Sequence, residues 1–140
     1  MKSVYIPKKI IDESLANSPT QGKHTLDPLK ALTAEHGVPF NILENHETTN
    51  EAEIHTHAGD LWHCIEGEVT FVTGGELVKP WVKKNNDGTE NPKELKASEI
   101  RGGAETVLKP GDWLWIPASE AHQHKCAGTA RLAIIKTPAA

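Results

Sequence analysis

The pattern of apolar and polar positions divides the chain near residue 38. Before it, apolar side chains recur at helical spacing in two short stretches. Ile10, Ile11 and Leu15 mark the first. It follows a segment whose Val4, Tyr5 and Ile6 read as an edge strand or an arm, and the polar run from Asn17 to Gly22 closes it. Asp27-Pro28-Leu29-Lys30-Ala31-Leu32 opens the second with an acidic cap, a proline at the first helical position and leucines three apart. Gly37 supplies its stop.

From Pro39 onward the texture is that of short strands. Phe40 to Leu43 precedes a polar turn, and Glu53 to His57 alternates in period two. Leu61 to Phe71 is β-prone apart from Glu66-Gly67-Glu68, which marks a hairpin. Thr106 to Leu108 leads into a Pro110-Gly111 turn. Trp113 to Pro117, Ala121 to Cys126 and Arg131 to Ile135 read as three further strands. The segment 79–101 is polar and turn-rich around Asn85 to Pro92, and reads as an insertion, either a hairpin excursion or a solvated loop. About eight short strands parted by Gly and Pro predict an all-β fold, an antiparallel double-sheet roll or barrel, preceded by short N-terminal helical segments. One domain is expected, with an arm and helices over 1–38 and the barrel over 39–140.

Composition narrows the partners. A formal net charge of −4 over 140 residues offers no basic surface for nucleic acid. No apolar run approaches a membrane span, and the N-terminal segment does not resemble a secretion signal, so a cytoplasmic protein is expected. Cys64 and Cys126 fit that compartment and form no metal-type CxxC pair.

The chain has eight histidines, and His55, His57, His63, His122 and His124 fall in two short segments. On a strand, His55 and His57 would project to one face. Asp60 follows a Gly59 turn that lets the next strand return its carboxylate to the same place, and His122 would arrive from a separate strand. Nitrogen and oxygen ligands converging in this way suit one divalent cation, iron(II) in particular, with manganese, zinc and nickel as alternatives.

These residues resemble the motifs of the cupin superfamily, approximately G-x5-H-x-H-x3/4-E-x6-G and G-x5-P-x-G-x2-H-x3-N. Here the first reads His55-x-His57-x2-Asp60-x6-Gly67 and the second Gly111-x5-Pro117-x4-His122. The resemblance covers about residues 40–136. It implies a jelly-roll barrel, usually dimeric, with metal in the barrel mouth held by His55, His57 and His122, and by Asp60 at the acidic position. The chain departs from the pattern in places. The acid is Asp on a loop one residue short, Leu61 occupies the alternative acid position, and Thr49 replaces the first glycine. Ser119 replaces the glycine before the second-motif histidine, and Cys126 stands where asparagine is usual.

Around these ligands, His124 shares the strand face of His122 and reads as a pocket acid/base, a fourth nitrogen ligand or a wall residue. Glu53 precedes His55 by two and reads as a solvated strand-end residue, with a role as acceptor for an imidazole N–H left open. Trp62 should line the cavity and His63 should point away. Cys64 and Cys126 should lie on the metal-facing side, either approaching each other or as separate buried residues. Of the residues from Trp113 to Ile116, Leu114 and Ile116 are expected to face inward. The two tryptophans would then pack on another layer or a partner subunit. The expected function is that of a metalloenzyme on a small organic substrate. A non-haem iron dioxygenase ranks first, and a metal-dependent isomerase or lyase and a non-catalytic ligand-binding protein are the alternatives. A homodimer without nucleic-acid or membrane partners is expected.

Overall fold

A computed structural model describes residues 2–139. Two short helices and twelve strands follow one another as α1 (Lys8–Leu15), β1 (Gly22–Thr25), α2 (Leu29–His36), β2 (Phe40–Thr49), β3 (Ala52–His55), β4 (Ala58–Glu66), β5 (Val69–Thr73), β6 (Glu76–Leu77), β7 (Trp81–Lys84), β8 (Glu90–Ala97), β9 (Ile100–Arg101), β10 (Ala104–Leu108), β11 (Trp113–Ile116) and β12 (His122–Pro138). The fold is all-β with short N-terminal helices, as its sequence pattern predicts. The helix over 29–36 stops at Gly37, whose φ of 64° is the left-handed conformation that glycine adopts without steric cost.

β12 organises the barrel. Its first residues, His122 to Lys125, pair with Thr73 to Thr70 of β5. His122 also faces Glu53 of β3, which pairs on its other side with β8. Past a register shift between Cys126 and Thr129, the same strand runs between β2 and β4. One long strand therefore belongs to both faces of a curled antiparallel sheet. The sequence reads it as two strands because Gly128 looks like a break, yet a bulge absorbs the irregularity and the pairing continues.

Val4 to Ile6 takes the arm alternative, without strand pairing, and two expectations change. β2 continues through the polar residues to Thr49, and its Glu44 is buried because Arg131 pairs with it at 2.8 Å. The polar strand β1, not anticipated, forms an edge on β2. The segment from 79 to 101 holds the β7–β8 hairpin, and β8 joins the main sheet through β3.

Leu43, Trp62, Cys64, Phe71, Ile116 and Leu132 pack in the barrel interior. A second cluster, Leu26, Leu29 and Ile42 with Ile10 and Leu15 of α1, holds the helices on the outside of the sheet. No helix among the described residues is long and apolar enough to cross a membrane.

Candidate metal centre and its cavity

Glu53, His55 and His122 form a candidate metal-binding site: each offers a ligand atom within 4.8 Å of the others, and all three are buried. Glu53 and His55 are two apart on β3 and share a face, and the β3–β12 pairing sets His122 beside them. Glu53 Oε1 lies 3.4 Å from His55 Nε2 and 3.5 Å from His122 Nε2. Asp60, 1 % exposed on β4, adds its Oδ2 at 3.9 Å from His55 Nε2 and 3.5 Å from His122 Nε2.

A cation fits this arrangement. Four ligands about 2.1 Å from a tetrahedral ion are separated by about 3.4 Å, close to the spacings found here. His122 Nε2 and Asp60 Oδ2 are buried without a hydrogen-bond partner, an expensive condition that an ion would relieve. The outer atoms of three of the four groups are meanwhile engaged, whereas His55 Nδ1 is buried without a hydrogen-bond partner. His122 Nδ1 donates to the Glu120 carbonyl at 2.9 Å, leaving the Nε2 lone pair facing inward. His55 Nδ1 lies 3.4 Å from Glu94 Oε1. Lys96 pairs with Glu53 Oε2, and Lys136 Nζ lies 2.5 Å from Asp60 Oδ1. Burial alone would push the Glu53 carboxyl up. The adjacent His122 and His55 and the charge of Lys23 instead hold it far below the usual carboxylate range.

His57 is not part of this cluster. β3 ends at His55, and Thr56 and His57 form a bend that leaves His57 exposed, its ring centroid 6.0 Å from that of His55. The strand alternation that would place both imidazoles on one face stops one residue too early. Glu53, read from the sequence as a solvated strand end, takes the inward place. Its signal was available, an acid two residues before a histidine on a period-two strand.

His124 is buried in the barrel wall. Its Nδ1 accepts from Asn45 Nδ2 and Asn50 Nδ2 at 3.0 and 2.9 Å, which puts its proton on Nε2. The ring stacks on Phe71 with centroids 5.1 Å apart, and burial lowers its pKa to about 3. Buried and held as a neutral imidazole, it fits the wall-residue reading among the three its position allows.

A cavity of about 410 Å³ opens onto Glu53, His55 and Asp60, with Trp62 in its wall. Cys64 and Cys126 are free thiols in the barrel core, outside the lining of this cavity. Their sulfurs donate to the carbonyls of Gly67 and Glu68 at 3.3 Å. His63 points outward and stacks on Trp113 with centroids 4.0 Å apart. Trp113 and Trp115 are 59 % and 58 % exposed while Ile116 is buried, so the aliphatic pair faces the barrel.

The architecture is that of the cupin fold. Two structures of oxalate oxidase match it, each 20% identical. The one in complex with glycolate covers 84% of this chain and 50% of its own, with a TM-score of 0.51. The other, from work on the enzyme's mechanism, covers 86% and 53% with a TM-score of 0.52. The Clostridium difficile EutQ protein matches over 71% of this chain and 51% of its own, at 15% identity and a TM-score of 0.43. The chain thus spans about half the length of these proteins. No protein-family model and no curated protein sequence matches it. Fold and site together define a cupin barrel with a candidate metal centre in its cavity.

Proposed function

We propose that this protein is a metal-dependent enzyme acting on a small organic molecule in the cavity beside Glu53, His55 and His122, with non-haem iron dioxygenase chemistry ranked first. The observation carrying this reading is the pair of buried, unpartnered atoms, His122 Nε2 and Asp60 Oδ2, converging with Glu53 and His55 where the cavity begins. Two imidazoles with one carboxylate are the donor set that suits iron(II), and Asp60 stands as a further oxygen beside it. When bound, a divalent ion there supplies Lewis acidity, and iron(II) adds redox chemistry with dioxygen.

The protein's own groups supply orientation and shielding. The Glu120 carbonyl fixes the His122 imidazole, Glu94 stands 3.4 Å from His55 Nδ1, and Lys96 and Lys136 hold the outer carboxylate oxygens. Leu43, Trp62 and Ile134 give the cavity an apolar wall that keeps water from the reacting end. His124 Nδ1 is taken up by Asn45 and Asn50, which favours a wall role over proton transfer and keeps the isomerase or lyase reading second.

Loading the protein anaerobically with iron(II) and measuring oxygen uptake with diketones, phenols and thiols tests the proposal. Uptake that disappears in His122→Ala supports the enzyme. Tight ligand binding without turnover points to a non-catalytic binding protein, and failure to retain any metal overturns both readings.

A further inference from the structure

We propose that the cavity takes a small organic monocarboxylate whose anionic end is gripped by Lys23 and whose apolar body lies against Phe40, Leu43, Trp62 and Ile134. This names a substrate class for the site and rests on the functional reading above. Four lysines line the cavity, Lys23, Lys83, Lys96 and Lys136. Three are matched to acids: Lys96 to Glu53, Lys136 to Asp60 at 2.5 Å, and Lys83 to Glu94 at 3.0 Å. Lys23 has no ion pair among the described residues. The cavity therefore holds one ammonium more than it has carboxylates, and a divalent ion at the centre would enlarge that excess. An anion is the guest that balances it.

The position of Lys23 is set by the backbone. β1 pairs antiparallel with β2, placing Lys23 opposite Asn45 and Thr25 opposite Leu43. Lys23 and Thr25 are two apart on one strand face and both line the cavity, so an ammonium and a hydroxyl stand together on that wall. Asn41, also in the lining, spends its Oδ1 on the Thr33 hydroxyl at 3.1 Å, so its amide N–H groups are what it can offer a guest. These donors suit a carboxylate. The apolar wall suits a guest with an uncharged body, and a volume of about 410 Å³ falls in the range of small-ligand pockets.

Isothermal titration with hexanoate and benzoate, against the neutral hexanamide and benzamide, tests this on both metal-loaded and chelator-treated protein. The acids are expected to bind at least about tenfold more tightly than their amides in both forms, as a charge-assisted contact worth a factor of ten requires. Lys23→Gln should abolish that preference while the protein still binds zinc or manganese, and Lys23→Arg should restore it. Equal binding of acid and amide, no binding of the acids, or a preference that survives Lys23→Gln overturns the proposal. Because the preference is also read without metal, its failure is distinguishable from failure of the metal centre, which is read by metal affinity alone.

Discussion

Glu53 on β3 and His122 on β12 are cross-strand partners, 69 positions apart in sequence, with Oε1 and Nε2 3.5 Å apart. That single pairing brings the two motif regions together. It assigns the inward place beside His55 to a carboxylate and leaves His57 on the bend outside.

Metal affinity should follow that geometry. Glu53→Gln and His122→Ala are expected to weaken zinc or manganese binding by more than the roughly 10–100-fold typical of losing an outer partner. His57→Ala should change it by less than about threefold, below the effect of even an outer partner. Titration calorimetry and metal analysis of the purified variants provide the check. A His57→Ala protein that loses metal while Glu53→Gln retains it would refute the assignment of Glu53.

Much of the barrel was legible because its strands are short, alternate and end at Gly or Pro. His55, Asp60 and His122 were legible because imidazole and carboxylate spacing carries chemistry directly. The remainder depends on tertiary partners. Glu44 looks like a turn residue until Arg131 is placed against it, and Glu53 looks solvated until β12 covers it. Lys96 and Glu94 join the site only because β8 docks on β3, and nothing in the local pattern of a polar, Asn-rich segment announces that docking.

Arg131 and Glu44 are an internal ion pair, 4 % and 1 % exposed, and Arg131 also donates to the carbonyls of Leu15 and Asn17. The guanidinium thereby ties the end of α1 to the barrel. Arg131→Met strands the Glu44 carboxylate and is expected to cost about 3–5 kcal/mol, whereas Arg131→Met with Glu44→Leu should recover much of it. Urea denaturation decides, and a single variant within about 1 kcal/mol of the parent would contradict the reading.

β11 pairs only with β4 among the described residues, leaving its other edge open beside the exposed Trp113 and Trp115. A second copy of the chain, paired antiparallel along that edge, is the occupant proposed for it. Sedimentation should show a dimer for the parent and a monomer for Trp115→Lys. A monomeric parent, or a dimer indifferent to Trp115→Lys, rejects this interface.

The Asn45–Asn50–His124 group makes stability depend on pH. His124 titrates near 6.5 when unfolded and, through burial, at about 3 in the folded protein. Between those values the unfolded chain carries a proton that the native chain does not. The proton-binding difference is then positive, and stability rises with pH across this window. Read downward, acidification from pH 6.5 should cost about 1.4 kcal/mol per pH unit from this residue alone. A cation held by Glu53, His55 and His122 would repel a charged His124 and so acts in the same direction. His124→Gln keeps an acceptor for the two amides while removing the titration, and should flatten the slope between pH 5 and 6.5. Urea melts of both proteins across that range measure it, and parallel slopes would show that the imidazole protonates without leaving the native state.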